Sequence, residues 1–91
     1  MTDISIFERK AEILKALAHP TRLCIVDGLL GNKCNVNYIQ SCLQISQANT
    51  SQHLSKLKAA GIIKGTRKGN EICYEVIDPL AIKIVGMIKE G

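Results

Sequence analysis

Gly61 separates two periodicities, and that change of period restricts the possible folds more than any other feature of the sequence. Before it, apolar residues recur at helical spacing. Ile6, Phe7, Ile13, Leu14, Leu17 and Ala18 fall three, four and seven apart, which predicts an amphipathic helix from about Ser5 to the His19-Pro20 break. Pro20 suits the first position of a second helix, with Leu23, Ile25, Val26, Leu29 and Leu30 as its body and Gly31 as its stop. After the turn GNKCN, the residues Val36, Ile39 and Leu43 predict a short third helix. Ser46 is placed to cap a fourth, running through Gln47, Leu54, Leu57 and Ala60 to Gly61.

Beyond Gly61 the pattern alternates. IIKGTR and EICYEVI flank the turn KGN, with Gly65 and Gly69 as punctuation, and this reads as a β-hairpin with a basic tip. Asp78 before Pro79 can cap a last helix whose broad face holds Leu80, Ile84, Val85 and Ile88. The expected fold is therefore mainly α with a small β-hairpin: four helices, two strands and a final helix. No linker or repeat interrupts residues 1–91, and a chain this short supports one small core, so a single domain is expected.

Hydrophobic patterning also excludes whole classes. No apolar run approaches the roughly 18 residues needed to cross a bilayer. The start MTDISIFERKAEIL is interrupted by charges and lacks the form of a secretory signal, so a cytoplasmic location is expected. Glutathione keeps thiols reduced there, and the four cysteines at 24, 34, 42 and 73 are not expected to form a disulfide framework. Neither a Ser/His/Asp order, a glycine-rich phosphate loop nor a pair of carboxylates suggests catalysis, so the chain is read as no enzyme, with no cofactor required.

The net charge is only +4, but its distribution is uneven. Residues 28 to 70 hold six cations, Lys33, Lys56, Lys58, Lys64, Arg67 and Lys68, and no acid, leaving six cations against eight acids elsewhere. One face of the domain is thus expected to meet a polyanion, and nucleic acid is the leading candidate. A short helix, a tight turn, a capped polar helix and a basic hairpin together make a winged helix-turn-helix, in which the second helix of the pair enters the major groove of DNA.

The side chains of that helix fit the role. Outside the core positions it carries Gln47, Ala48, Asn49, Ser51, Gln52, His53, Ser55, Lys56 and Lys58, again with no acid. Amides pair with adenine edges, and Ser or Lys meets base edges or phosphates. A merely solvated helix also uses Gln, Asn and Ser, but it normally mixes both charge signs. His53, with no acid near it in sequence to orient it as a base, reads as a phosphate or base contact.

The strings LKALAHPTRLCIVDGLL and SQANTSQHLSKLKAAGIIKGTRKGNEICYEV resemble the arsenical-resistance repressor (ArsR/SmtB) family of bacterial and archaeal metal and thiol sensors. The resemblance covers nearly the whole chain and rests on the LAHPTRL opening of the second helix, the reading helix with its exit, and a wing closing on CYEV. It implies a homodimeric repressor, paired through its first and last helices, that leaves a double-stranded operator when an inducer binds. A two-fold dimer implies an inverted repeat with reading helices about one turn of DNA, ~34 Å, apart. By position, Gln47, Asn49, Ser51, Gln52 and His53 would face the major groove, and Arg67, Lys68, Gly69 and Asn70 would form the wing.

The sequence also departs from the family. The metal-binding box that normally places two cysteines around a valine reads Asn35-Val36-Asn37, with Cys34 one place ahead of it. The family's last-helix site uses Asp with several His, whereas His19 and His53 are the only histidines, so a last-helix zinc site is rejected. The cysteines themselves leave two readings open. Free Cys packs well as a small hydrophobe, and Cys42 shares a face with Ile39 and Leu43. Cys24 and Cys34, at more accessible positions, are the preferred pair for answering oxidants, persulfides or a soft metal, since exposure and thiolate character set reactivity. The competing classes are a winged-helix module that binds another protein and a constitutive DNA binder without inducer.

Overall fold

In the computed structural model the described residues are 3–31 and 44–90. They form α1 (Ile4–Leu17), α2 (Pro20–Gly31), α3 (Gln47–Ala59), β1 (Ile63–Lys68), β2 (Glu71–Val76) and α4 (Pro79–Glu90). The short helix expected around Val36, Ile39 and Leu43 lies outside the described residues, as do Cys34 and Cys42. The element order otherwise matches the change of period at Gly61.

Local chemistry sets the boundaries. Asp3 caps α1 by accepting from Ser5 N at 3.0 Å. Ser46 caps α3 by accepting from Asn49 N at 3.1 Å, and Asp78 Oδ2 accepts from Ala81 N at 2.9 Å at the start of α4. At the exit of α3, Gly61 takes φ +79°. Its N–H bonds to Lys58 O at 2.9 Å and the next N–H, from Ile62, bonds to Leu57 O at 3.0 Å. This pair of bonds closes the helix in a Schellman motif, which needs the left-handed residue at Gly61.

The chain then enters the hairpin, where β1 and β2 pair antiparallel from Ile63 opposite Val76 to Lys68 opposite Glu71. The turn is Gly69-Asn70, with positive φ at Gly69 alone of the two, the pattern of a type II′ turn. Gly65 lies inside β1 and punctuates nothing. A Cβ there would come within 3.1 Å of Ile72 and Tyr74 side chains, so the glycine leaves room for cross-strand packing.

One core ties these elements together. Ile25, Val26 and Leu29 of α2 pack with Leu54 and Leu57 of α3, Ile62, Ile63 and Val76 at the base of the hairpin, and Ala81 and Val85 of α4. Helix α1 adds Ile13, Ala16 and Leu17. Of the apolar residues that the sequence places on the first and last helices, Ile13 and Val85 are thus core, and Leu80 and Ile84 pack against it half-buried. What stays exposed is Ile4, Ile6, Phe7 and Leu14 on α1, with Ile82, Met87 and Ile88 on α4. The two helices pack against each other.

Candidate nucleic-acid interface

Helix α3 buries Thr50, Leu54 and Leu57, half-buries His53 and leaves the rest of its circumference to solvent. Thr50 is the one buried polar side chain among the described residues, and its Oγ1 donates to Ser46 O at 2.9 Å, so the first turn of α3 is fixed from inside. Gln47, Asn49, Ser51, Gln52, Ser55, Lys56 and Lys58 are all exposed, as the sequence pattern expects. The first turn has no acid, and its free N–H groups and helix dipole add to an anion-attracting end.

His53 stands apart from these. It is half-buried, and its Nδ1 accepts from Arg22 Nε at 3.3 Å. Burial, then the neighbouring His19 and Arg22, hold its pKa below the usual 6.5. Its ring faces His19, with centroids 4.7 Å apart. The imidazole read in the sequence as a groove contact is therefore packed toward α2 on its Nδ1 side. Arg22 and His19 were missed by sequence reasoning because the contact joins residues 31 positions apart. The only local hint was a proline-flanked His and an Arg in LAHPTRL.

At the hairpin, Arg67, Lys68, Gly69 and Asn70 are exposed at the tip, beyond the buried base formed by Ile63 and Val76. Cys73, half-buried on β2, departs from the expectation of reduced thiols: it is disulfide-bonded. No CxxC spacing exists to signal such a bond, and a fold brings cysteines together regardless of their separation in sequence, while the compartment decides whether the bond persists. Cys24 is free and exposed on α2. Among the described residues no three His, Cys, Asp or Glu side chains gather as a metal site. No described helix is long and apolar enough to cross a membrane.

Residues 19–64, from the opening of α2 into the hairpin, match the model of the bacterial regulatory protein, arsR family. The chain belongs to that family. The transcriptional repressor PagR of Bacillus anthracis is 42% identical over 83 residues, which are 90% of this chain and 80% of that protein. Its crystal structure superposes with a TM-score of 0.84, covering 94% of this chain and 99% of the other at 36% identity. The HTH-type transcriptional repressor SmtB of Mycobacterium tuberculosis is 40% identical over 80% of this chain, which spans 54% of that protein's length. A homodimeric winged helix-turn-helix DNA-binding domain from Mycobacterium bovis shares the fold, with a TM-score of 0.84 at 23% identity. PagR and SmtB are thus transcriptional repressors, and the fold is the winged helix-turn-helix.

Proposed function

We propose that the protein is a homodimeric transcriptional repressor that reads an inverted-repeat operator with α3 and releases it when an inducer acts on its thiols. The observation that carries the DNA-binding reading is the acid-free exposed face of α3 beside the cationic tip of the hairpin. Gln47, Asn49, Ser51, Gln52, Ser55 and Lys56 supply base and phosphate partners, while Arg67, Lys68, Gly69 and Asn70 follow the backbone beside the groove. His53 reaches DNA only through its Nε2 side, since Nδ1 is occupied.

Two-fold pairing is supported by the exposed apolar ends of α1 and α4. Phe7 is 59% exposed, and Met87 and Ile88 are 63% and 56% exposed, which a lone domain would leave in water. The inducer reading rests on Cys24, exposed and free on α2, together with Cys34, and takes a thiol-modifying species or a soft metal as ligand.

The experiment is selection of duplexes from a random pool by the full chain, followed by binding at several salt concentrations with and without a thiol oxidant. The expected result is an enriched inverted repeat, bound with an affinity that falls steeply with salt, and oxidant that weakens binding roughly 5- to 150-fold. Cys24→Ser with Cys34→Ser should keep operator binding and lose the response. Enrichment without any thiol or soft-metal response would mark a constitutive DNA binder. No enrichment, from protein that self-associates, would mark a protein-interaction module.

A further inference from the structure

Ala16 has no ordinary partner for its carbonyl at the end of α1, because the residue four places on is Pro20, which carries no N–H. Arg22 fills that gap: one terminal guanidinium nitrogen donates to Ala16 O at 3.1 Å. The same guanidinium uses its Nε to donate to His53 Nδ1 on α3. A single half-buried side chain in the first turn of α2 thus joins the end of the first helix to the middle of the reading helix. Beside it, His19 Nδ1 accepts from Thr21 N at 3.1 Å and caps α2, and its ring lies tilted against that of His53.

The protonation state of His53 follows from its donor. A guanidinium can only donate, so Nδ1 of His53 presents a lone pair and its imidazole is neutral. A proton added to His53 would turn Nδ1 into a second donor facing Nε of Arg22, and would set two cations together. His19 and Arg22 both oppose a charge on His53. His19 faces His53 from the loop before α2, Arg22 from α2, and Lys56 lies one turn along α3. Arg9, Lys10, Glu12 and Lys15 of α1 and Asp78 line the cleft that Arg22 and Lys56 also border. Its two carboxylates are engaged, Glu12 with Lys15 at 3.8 Å and Asp78 with the cap of α4.

We propose that Arg22 is a positioning residue for operator reading: held between Ala16 O and neutral His53, it fixes how α3 is presented relative to α1 and α2, and protonation of His53 releases it. The proposal rests on the DNA-binding reading above. It assigns Arg22 no contact with DNA, so its removal should blur sequence preference while leaving general attraction to phosphate in place. Acid should have the same effect as removing it. The bond from Arg22 Nε to Nδ1 holds the clamp while His53 is neutral, and burial with His19 and Arg22 lowers the pKa of that imidazole.

The test uses the full chain and a duplex that the wild type has enriched from a random pool, alongside a scrambled duplex, from pH 8 to 5.5. Arg22→Ala should bind the enriched duplex roughly tenfold more weakly, the size of one mismatched base pair, and the scrambled duplex within about twofold of wild type. Wild-type preference should fall as pH drops, and His53→Asn, which keeps an acceptor but cannot take the proton, should flatten that profile. NMR titration of the two imidazoles provides a readout without DNA: His53 should titrate below 6.5, and its midpoint should rise in Arg22→Ala. Three results would overturn the proposal. Equal weakening on both duplexes, with a salt slope lowered by about 0.9, would make Arg22 a phosphate contact. A lower melting temperature with preference intact would make it structural only. A His53 midpoint at or above 6.5 would remove the clamp. Failure of wild type to enrich any duplex would remove the repressor reading and this proposal together, and it would appear before any variant is made.

Discussion

Helices α3 and α4 are close to the same length, each begins at a side-chain cap, Ser46 in one and Asp78 in the other, and each buries a few residues in the same core. They differ in what they leave outside. Around Thr50, Leu54 and Leu57, α3 exposes amides, hydroxyls and lysines; around Ala81 and Val85, α4 exposes Ile82, Met87 and Ile88. The core fixes both helices by similar means, so the difference between them lies in the outward half. A polar face without acids keeps its hydration until a polyanion replaces it, whereas an apolar face is costly in water and is relieved by another protein surface. In the proposed function, partner choice is thus carried by residues that contribute little to the fold.

The largest change should come from giving α4 a face that water favours. Ile88→Glu with Phe7→Glu would place four charges in the proposed two-fold interface, and self-association should weaken by about 3 kcal/mol or more, read as a monomer by sedimentation at micromolar concentration. The melting transition of the monomer should stay cooperative, because neither residue belongs to the buried core. Next comes the face of α3. Gln52→Ala should cost about 1 to 3 kcal/mol at the base pair it reads and alter which pair is preferred, measured against operator variants. Lys68→Ala at the wing should do something different in kind, weakening every duplex alike and reducing the salt slope by about 0.9 for the one phosphate it no longer neutralises. The caps should show that the two helices are built alike: Ser46→Ala and Asp78→Ala should each cost about 1 kcal/mol of stability in denaturant unfolding.

The pH dependence of stability has a defined sign. The His53 pKa is lower in the folded chain than its ordinary 6.5, so the unfolded chain takes up a proton first as the pH drops. This contribution to stability is complete at pH well above 6.5. It is lost progressively below that value until the folded His53 itself titrates, and unfolding midpoints at pH 7.5 and 5.5 should show the decline.

Much of this was legible in the sequence because it is local. The caps at Ser46 and Asp78, the helix stop at Gly61 and the turn at Gly69 depend on neighbours within a few residues, so residue type and spacing are sufficient to place them. The exposed set on α3 followed from helical period. The cluster of Arg22 with His53 was not legible, since it depends on α2 crossing α3 at one particular turn. The disulfide at Cys73 has no local spacing signal either. Apolar residues on α1 and α4 could be assigned to their helices but not divided between core and surface. Ile13 and Leu14 are adjacent and equally apolar, yet one is 7% exposed and the other 50%.

The division of the surface between DNA and a second copy is tested most directly by mapping backbone amide shifts of the labelled chain on titration with an enriched duplex. The account predicts large changes at Gln47, Ser51, Gln52, Arg67 and Lys68, with Ile82, Met87 and Ile88 unmoved. Changes concentrated on α4, or none on α3 under conditions where the duplex is bound, would contradict it.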